Sequence, residues 1–138
     1  MRPEVFLDSA FAIALSVAKD DYHKKAIELA NEITDSEINM VTTRAVILEI
    51  GNALAKTKYR SAAVQLIKSL EEDPKVIIIH LTEEIFSKAF ALYQKSLDKD
   101  WGITDCASFI VMEECKINEA LTTDEHFRQA GFKPLLLE

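Results

Sequence analysis

Four acidic residues stand where a carboxylate has unusual neighbours. Asp8 ends the apolar run Val5-Phe6-Leu7 and is followed by Ser9. Asp105 follows Thr104 and opens the apolar stretch Cys106-Ala107-Ser108-Phe109-Ile110-Val111-Met112. Asp124 comes after the strand-like Ala120-Leu121-Thr122-Thr123 and before Glu125-His126-Phe127. Glu49 lies four residues after Ala45, three after Val46 and four before Ala53, so helical spacing sets it on an apolar stripe. Gathered together, such groups could hold a hard divalent cation. Two bare carboxylates about 4 Å apart repel by roughly 4 kcal/mol at an effective dielectric near 20, so a cluster requires protons or cations. All-oxygen donors select Mg²⁺ or Mn²⁺, ions that keep open positions for water and phosphate.

Each acid also has an ordinary explanation. Asp8 suits a helix N-cap. Asp105 in a first turn meets the positive end of a helix dipole. Asp124 can cap a helix, and Thr122 with Glu125 fits a capping box. Glu49 can run its stem out to solvent or meet a cation. The combination shifts the balance, because three separate stretches deliver acids to strand-end turns while a fourth sits on a helix's inner face.

The elements that must position these residues follow from the alternation of short apolar runs with stretches of helical period. Strands are predicted at Glu4 to Leu7, Ile38 to Thr42, Lys75 to His80, Glu119 to Thr122 and Lys133 to Leu137. Helices are predicted from about Ala10 to Ala18, then at Tyr22 to Ile33, Arg44 to Ala55, Ala62 to Leu70, Glu83 to Leu97, Asp105 to Cys115 and Glu125 to Ala130. Gly131 is the expected stop for the last of them. This order predicts an α/β fold, a three-layer α/β/α arrangement around a parallel sheet of about five strands with right-handed crossovers. In such sheets ligands gather at the carboxyl ends of the strands, where Asp8, Asp105 and Asp124 would share one edge and Glu49 lean over it.

The chain has 138 residues, 49% of them hydrophobic and 28% charged, with 3 Gly and 3 Pro. That excludes disordered, collagen-like and disulfide-stapled classes, and with no repeat or linker it predicts one domain over residues 1–138. A net charge of -7 is too acidic for a general polyanion binder. No apolar run approaches the roughly 18 residues needed to span a bilayer. Arg2 and the apolar block after it imitate a secretory signal, but Glu4 and Asp8 interrupt it, so these residues read as the first strand and helix of the fold. Cys106 and Cys115 fall in one predicted helix, on opposite sides and roughly 13 Å apart along its axis. That exceeds the roughly 7 Å limit for a disulfide, which predicts reduced thiols and a cytoplasmic compartment. Two thiols without spaced histidines make a poor zinc site.

Taken together, these stretches resemble the PIN-domain nucleases, the fold of the VapC-type toxins of toxin–antitoxin pairs. The resemblance runs from Phe6-Leu7-Asp8-Ser9 through Leu48-Glu49-Ile50-Gly51-Asn52-Ala53-Leu54 and Thr104-Asp105-Cys106-Ala107-Ser108-Phe109 to the segment from Ala120 to Phe132. The order and spacing of the acids match the family pattern. The resemblance implies that Asp8, Glu49, Asp105 and Asp124 are the metal-binding and catalytic set, with Ser9, Thr104 and Thr122 as supporting hydroxyls. It further implies an Mg²⁺- or Mn²⁺-dependent ribonuclease, a homodimer, and a small cognate antitoxin that holds it inactive. Metal-assisted hydrolysis of a phosphodiester suits such residues. It would also let a chain of charge -7 handle RNA, since the ions supply positive charge locally.

Other residues carry weaker signals. Lys56, Lys58 and Arg60 crowd the expected loop after the Glu49 helix and could steer a phosphate backbone, although a solvated loop explains them as well. Arg44 opens the same helix and could contact RNA or a carboxylate. His23, His80 and His126 are assigned no chemistry, and Asp98 and Asp100 read as loop charges. Phe86, Phe90 and Tyr93 are expected to face the core, with a dimer interface as the alternative. Trp101 is expected to pack at the sheet edge, with base stacking as the alternative. Two competing functions remain. One is a catalytically silent binding module of the same fold. The other is a phosphoryl-transfer enzyme or receiver, which fits poorly because position 10 is Ala and His80 stands where a receiver needs an Asp.

Overall fold

The computed structural model describes residues 3–138, so Arg2, the cationic end of the signal-like segment, lies outside the described residues. The five strands are β1 (Glu4–Leu7), β2 (Asn39–Thr43), β3 (Val76–Ile79), β4 (Glu119–Leu121) and β5 (Lys133–Pro134). They form one sheet in the order β3-β2-β1-β4-β5 with every pairing parallel. The helices are α1 (Ser9–Ser16), α2 (His23–Asp35), α3 (Arg44–Ala53), α4 (Thr57–Glu72), α5 (Glu83–Lys95), α6 (Ile103–Cys115) and α7 (Glu125–Gln129). Helices α1 to α4 pack on one another, α5 to α7 form a second group, and together they give the three-layer α/β/α architecture predicted for the alternating pattern.

The strand order decides where a site can form. β1 is central and pairs with β2 on one side and with β4 on the other. The chain runs from β1 to β2 and β3 on one side and then crosses over to β4 and β5 on the other, so the carboxyl ends of β1 and β4 flank a topological switch point, the position at which open α/β sheets bind ligands. Val5, Phe6 and Leu7 are buried, which is why this strand reads as an apolar run rather than an alternating one. Asp8 and Thr122 are the first residues beyond the ends of the two strands.

Element ends differ from expectation for local physical reasons. The fifth strand is cut short at Pro134, which has no N–H to extend a ladder, and Leu135–Leu137 form a 3₁₀ turn in which Leu136 N–H bonds to the Thr122 carbonyl at 3.2 Å. Helix α4 starts at Thr57, five residues before the predicted start, so Lys58 and Arg60 sit in its first turn and not in a loop. The Arg60 guanidinium donates to the Ala55 carbonyl at 3.1 and 2.7 Å, fastening the short connection between α3 and α4. Gly131 has φ +96°, the left-handed stop expected after α7. Cys106 is buried, Cys115 half-buried, and both are free thiols within α6. No helix among the described residues is long and apolar enough to cross a membrane.

The face of α5 corrects one expectation. Phe86, Phe90 and Tyr93 are 46%, 43% and 46% exposed, so they do not belong to the core. Their rings stack along the helix at 6.1 and 6.4 Å. The spacing 86, 90, 93 makes a stripe, but α5 buries a different side through Ala89, which is fully covered. A stripe of helical period shows that one face is apolar without saying whether that face meets the same chain.

An aromatic hub lies behind the switch point. Phe127 is fully buried, with its ring 5.0 Å from Phe109 of α6 and 6.3 Å from Phe6 of β1. The three helices and strands that carry Asp8, Asp105 and Asp124 therefore meet at one ring. Phe127→Ala is expected to destabilise the fold by about 3–5 kcal/mol. A lowered urea midpoint at unchanged m value would show it, whereas a loss under 1 kcal/mol would mean that the hub does not hold the elements together.

Candidate active site

Asp8 occupies the N-cap position of α1 but makes no capping hydrogen bond, so the ordinary explanation for this residue does not apply. Its Oδ2 accepts a hydrogen bond from the Thr122 hydroxyl at 2.6 Å, across the β1–β4 junction. Both residues are buried, Asp8 at 5% and Thr122 at 0% exposure. The Thr122 hydroxyl in turn accepts from the Asp124 N–H at 3.0 Å, so one side chain fixes a carboxylate on the neighbouring strand and the turn leading to the next acid.

Asp124 does cap its helix. Its Oδ1 accepts from the His126 N–H at 2.8 Å, and the cap is Asp124 itself rather than Thr122. Asp105 is the third residue of α6, where its Oδ2 accepts from the Gly102 N–H at 3.2 Å. The same oxygen lies 3.1 Å from His126 Nδ1, which is also 3.3 Å from Asp124 Oδ1. Glu49 is half-buried on α3, and Ser9 donates its hydroxyl to Glu49 Oε1 at 3.2 Å. Single donor atoms of Asp105, Asp124 and His126 lie within 4.8 Å of one another, an arrangement able to hold a metal ion.

The acids sense each other electrostatically. Burial pushes the Asp8 carboxyl up from 3.8 to about 7, with Asp105 and Glu49 adding to the rise against the opposing bonds from Thr122 and the Ser9 N–H. Burial also raises Glu49, with Asp105 and Asp124 reinforcing it while the Ser9 bond opposes. Asp105 is raised by burial and then by Asp124, with His126 and Gly102 pulling the other way. Among the described residues, the charges acting on these three groups are further members of the set or His126, so the four acids from β1, α3, α6 and the β4–α7 turn occupy one edge.

Seven of the residues singled out from sequence fall as follows. Asp8, Glu49, Asp105 and Asp124 converge, and Ser9 and Thr122 each bond one of them. Thr104 lies in the first turn of α6 and makes no hydrogen bond to the acids among the described residues. The basic residues do not join the cluster. Arg44 pairs with Glu71 at 3.0 Å, Arg60 holds the Ala55 carbonyl, Lys58 lies 4.9 Å from the Tyr59 ring, and Lys56 is the exposed residue before α4. The sequence assigns His126 no role, yet the structure brings it to the cluster. The available signal was its position two residues after Asp124 in a helix too short to turn it away. Asp98 pairs with Lys99 at 2.8 Å on the surface, away from the acids. Trp101 packs edge-on against Phe109 at 5.1 Å and donates its Nε1–H to Gln129 Oε1 at 3.0 Å.

Comparison with known proteins places this geometry. The crystal structure of Mycobacterium tuberculosis VapC20, described as a sarcin-ricin loop cleaving toxin, superposes with a TM-score of 0.83 at 25% identity, covering 93% of this chain and 95% of that one. Comparison with curated protein sequences returns no match. The pattern of the PIN domain matches residues 5–133, a span that contains all four converging acids, and the chain belongs to the PIN domain family.

Proposed function

We propose that this chain, as one domain, is a divalent-metal-dependent endoribonuclease and the toxin of a toxin–antitoxin pair, acting in the cytoplasm. The observation that carries the reading is the convergence of Asp8, Glu49, Asp105 and Asp124 on the switch-point edge with the Asp8 carboxyl raised to about 7. Membership of the PIN domain family and the likeness to a toxin that cleaves the sarcin-ricin loop support RNA as the substrate. A silent binding module would gain nothing from keeping buried, mutually repelling carboxylates.

The donor set fits a hard divalent ion, because oxygen ligands dominate and, among the described residues, no side-chain ammonium or guanidinium offsets their charge. Asp8, Glu49, Asp105 and Asp124 would hold Mg²⁺ or Mn²⁺, with His126 within reach of two of them. Such an ion, when bound, lowers the pKa of water and neutralises charge on a phosphodiester undergoing hydrolysis. The chain's own contribution is preorganisation. Thr122 fixes Asp8, Ser9 fixes Glu49, the Gly102 N–H and His126 fix Asp105, and the first turn of α7 fixes Asp124. Ser9 and Thr122 are thus the supporting hydroxyls, and Thr104 contributes only its place in the helix. Arg44, Lys56, Lys58 and Arg60 hold none of these acids and would contact the RNA backbone rather than the ion.

A homodimer is proposed through the exposed side of α5, since the stacked rings of Phe86, Phe90 and Tyr93 continue into Leu97, which is 90% exposed. The remaining partner is a small antitoxin. Phe90→Glu is expected to yield a folded monomer, read by light scattering after size exclusion. A variant that keeps the wild-type mass would exclude this face as the interface.

Asp8→Asn should abolish RNA cleavage while raising the melting temperature of the metal-free protein at pH 8, because it removes a buried charge. Retained cleavage, in that variant or in excess chelator, would reject the mechanism. The pH dependence has a definite sign. Between pH 3.8 and about 7 the folded chain keeps a proton on Asp8 that the unfolded chain has released. Stability of the metal-free protein therefore falls as pH rises through that window, by up to about 4 kcal/mol for three units at 1.36 kcal/mol each. Millimolar Mn²⁺ should raise the melting temperature most near pH 8 and little near pH 5, where protons compete for the same oxygens. Equal melting curves with Mn²⁺ and with chelator at pH 8 would count against metal binding.

A further inference from the structure

We propose that the cleft between α5, α6 and the turn before β5 is a subsite for one unstacked nucleobase of the RNA strand. The proposal rests on the ribonuclease reading and adds to it the means of choosing where to cut.

The cleft has a volume of about 360 Å³ and is lined by Lys88 and Lys95 of α5, by Trp101, by Phe109 and Glu113 of α6, and by Phe132. That volume lies within the range of about 300–1,000 Å³ typical of ligand sites. Trp101 stands edge-on to Phe109 at 5.1 Å, and the Phe132 ring lies 5.7 Å from Phe109 at 30°. The half-buried Trp101 and Phe132 rings offer apolar walls above the buried Phe109, while the polar groups are few and placed apart. Lys88 is held by Glu84 at 3.3 Å and Glu114 at 2.6 Å. Lys95 makes no ion pair among the described residues and is exposed, which leaves it for a phosphate. The Glu113 carboxylate accepts hydrogen bonds, as the exocyclic amino group of a base would require.

The ligand chemistry follows from that combination. A free anion would not select aromatic walls and a carboxylate, and an aliphatic group would need neither lysine nor glutamate. A planar π-system with amino hydrogens, attached to phosphate, satisfies all of them. Single-stranded RNA is recognised in this manner, with unstacked bases laid on aromatic side chains and read at their edges.

The location agrees. Phe109 follows Asp105 by about one helical turn, so the cleft begins on α6 about 6 Å along the axis from the backbone position of Asp105. Trp101 directly precedes Gly102, whose N–H bonds Asp105. At about 100° per residue, Lys88 and Lys95 lie on the opposite side of α5 from Phe86, Phe90 and Tyr93, so a dimer formed through the aromatic stripe leaves the cleft open.

Trp101 is the only tryptophan in the chain, which makes its fluorescence a direct reporter. The probe is a mixed-sequence oligoribonucleotide, kept intact by the chelator in which it is titrated, alongside the same strand carrying abasic positions. The base-bearing strand should quench Trp101 saturably, and the abasic strand should not. Ala91 is exposed and lines the cleft, so Ala91→Phe fills it without disturbing the core. In that variant the quench should vanish, and KM for RNA cleavage in Mn²⁺ should rise about tenfold with kcat within twofold of wild type. Should Ala91→Phe melt early, Lys95→Glu is to be read by the same two measurements.

Equal quenching by the abasic strand overturns the proposal. So does a wild-type KM in a folded variant, whether or not the quench is lost. Failure of the ribonuclease reading looks different: wild-type protein then cleaves no RNA in Mn²⁺, while the titration in chelator, which needs no turnover, still decides the cleft.

Discussion

The hydrogen bond from the buried Thr122 hydroxyl to the Asp8 carboxylate joins the ends of two strands that are far apart in the chain and adjacent in the sheet. It exists because β1 pairs with β4 as well as with β2, so that the chain's first strand lies centrally and a switch point opens beside it. Charge repulsion among Asp8, Glu49, Asp105 and Asp124 works against this arrangement. The supporting bonds from Ser9, Thr122, Gly102 and His126 work for it. A fold that holds like charges together at a half-buried edge gives up stability in its metal-free form, a common trade where function needs a preorganised, destabilised site.

Rigidity behind the edge comes from aromatic packing. Phe127, Phe109 and Phe6 belong to α7, α6 and β1, the elements that deliver three of the four acids. Phe109 also contacts Trp101 and Phe132 and so forms the base of the proposed nucleobase cleft. One ring system thus sets the carboxylate positions on one side and shapes a recognition surface on the other. Helix α5 divides its circumference similarly, with Ala89 buried, an aromatic stripe toward solvent and two lysines toward the cleft.

Much of this was legible in the residues. Apolar runs without alternation announced buried parallel strands, and Glu4–Leu7 appears as expected to the residue. The left-handed Gly131 ended α7 where a C′ glycine should. Less legible were features in which local pattern and tertiary environment diverge. The stripe of Phe86, Phe90 and Tyr93 reads the same whether it meets the core or a second molecule. Lys58 and Arg60 read as loop residues because nothing in their spacing revealed that α4 begins at Thr57. His126 gave no sign of its bond to Asp105, which lies on another helix.

Type and order of the acids, their placement at strand ends, and the layered α/β class were determined by composition and periodicity, because hydrophobic period and turn chemistry act over a few residues. The three-dimensional arrangement alone settled which hydroxyl meets which carboxylate, that Asp8 is left uncapped and protonated up to about pH 7, and that the basic residues near Glu49 turn elsewhere. Such outcomes depend on strand order and on burial summed over distant segments. Desolvation and charge repulsion are properties of a neighbourhood in space, and that neighbourhood does not exist until the chain has folded.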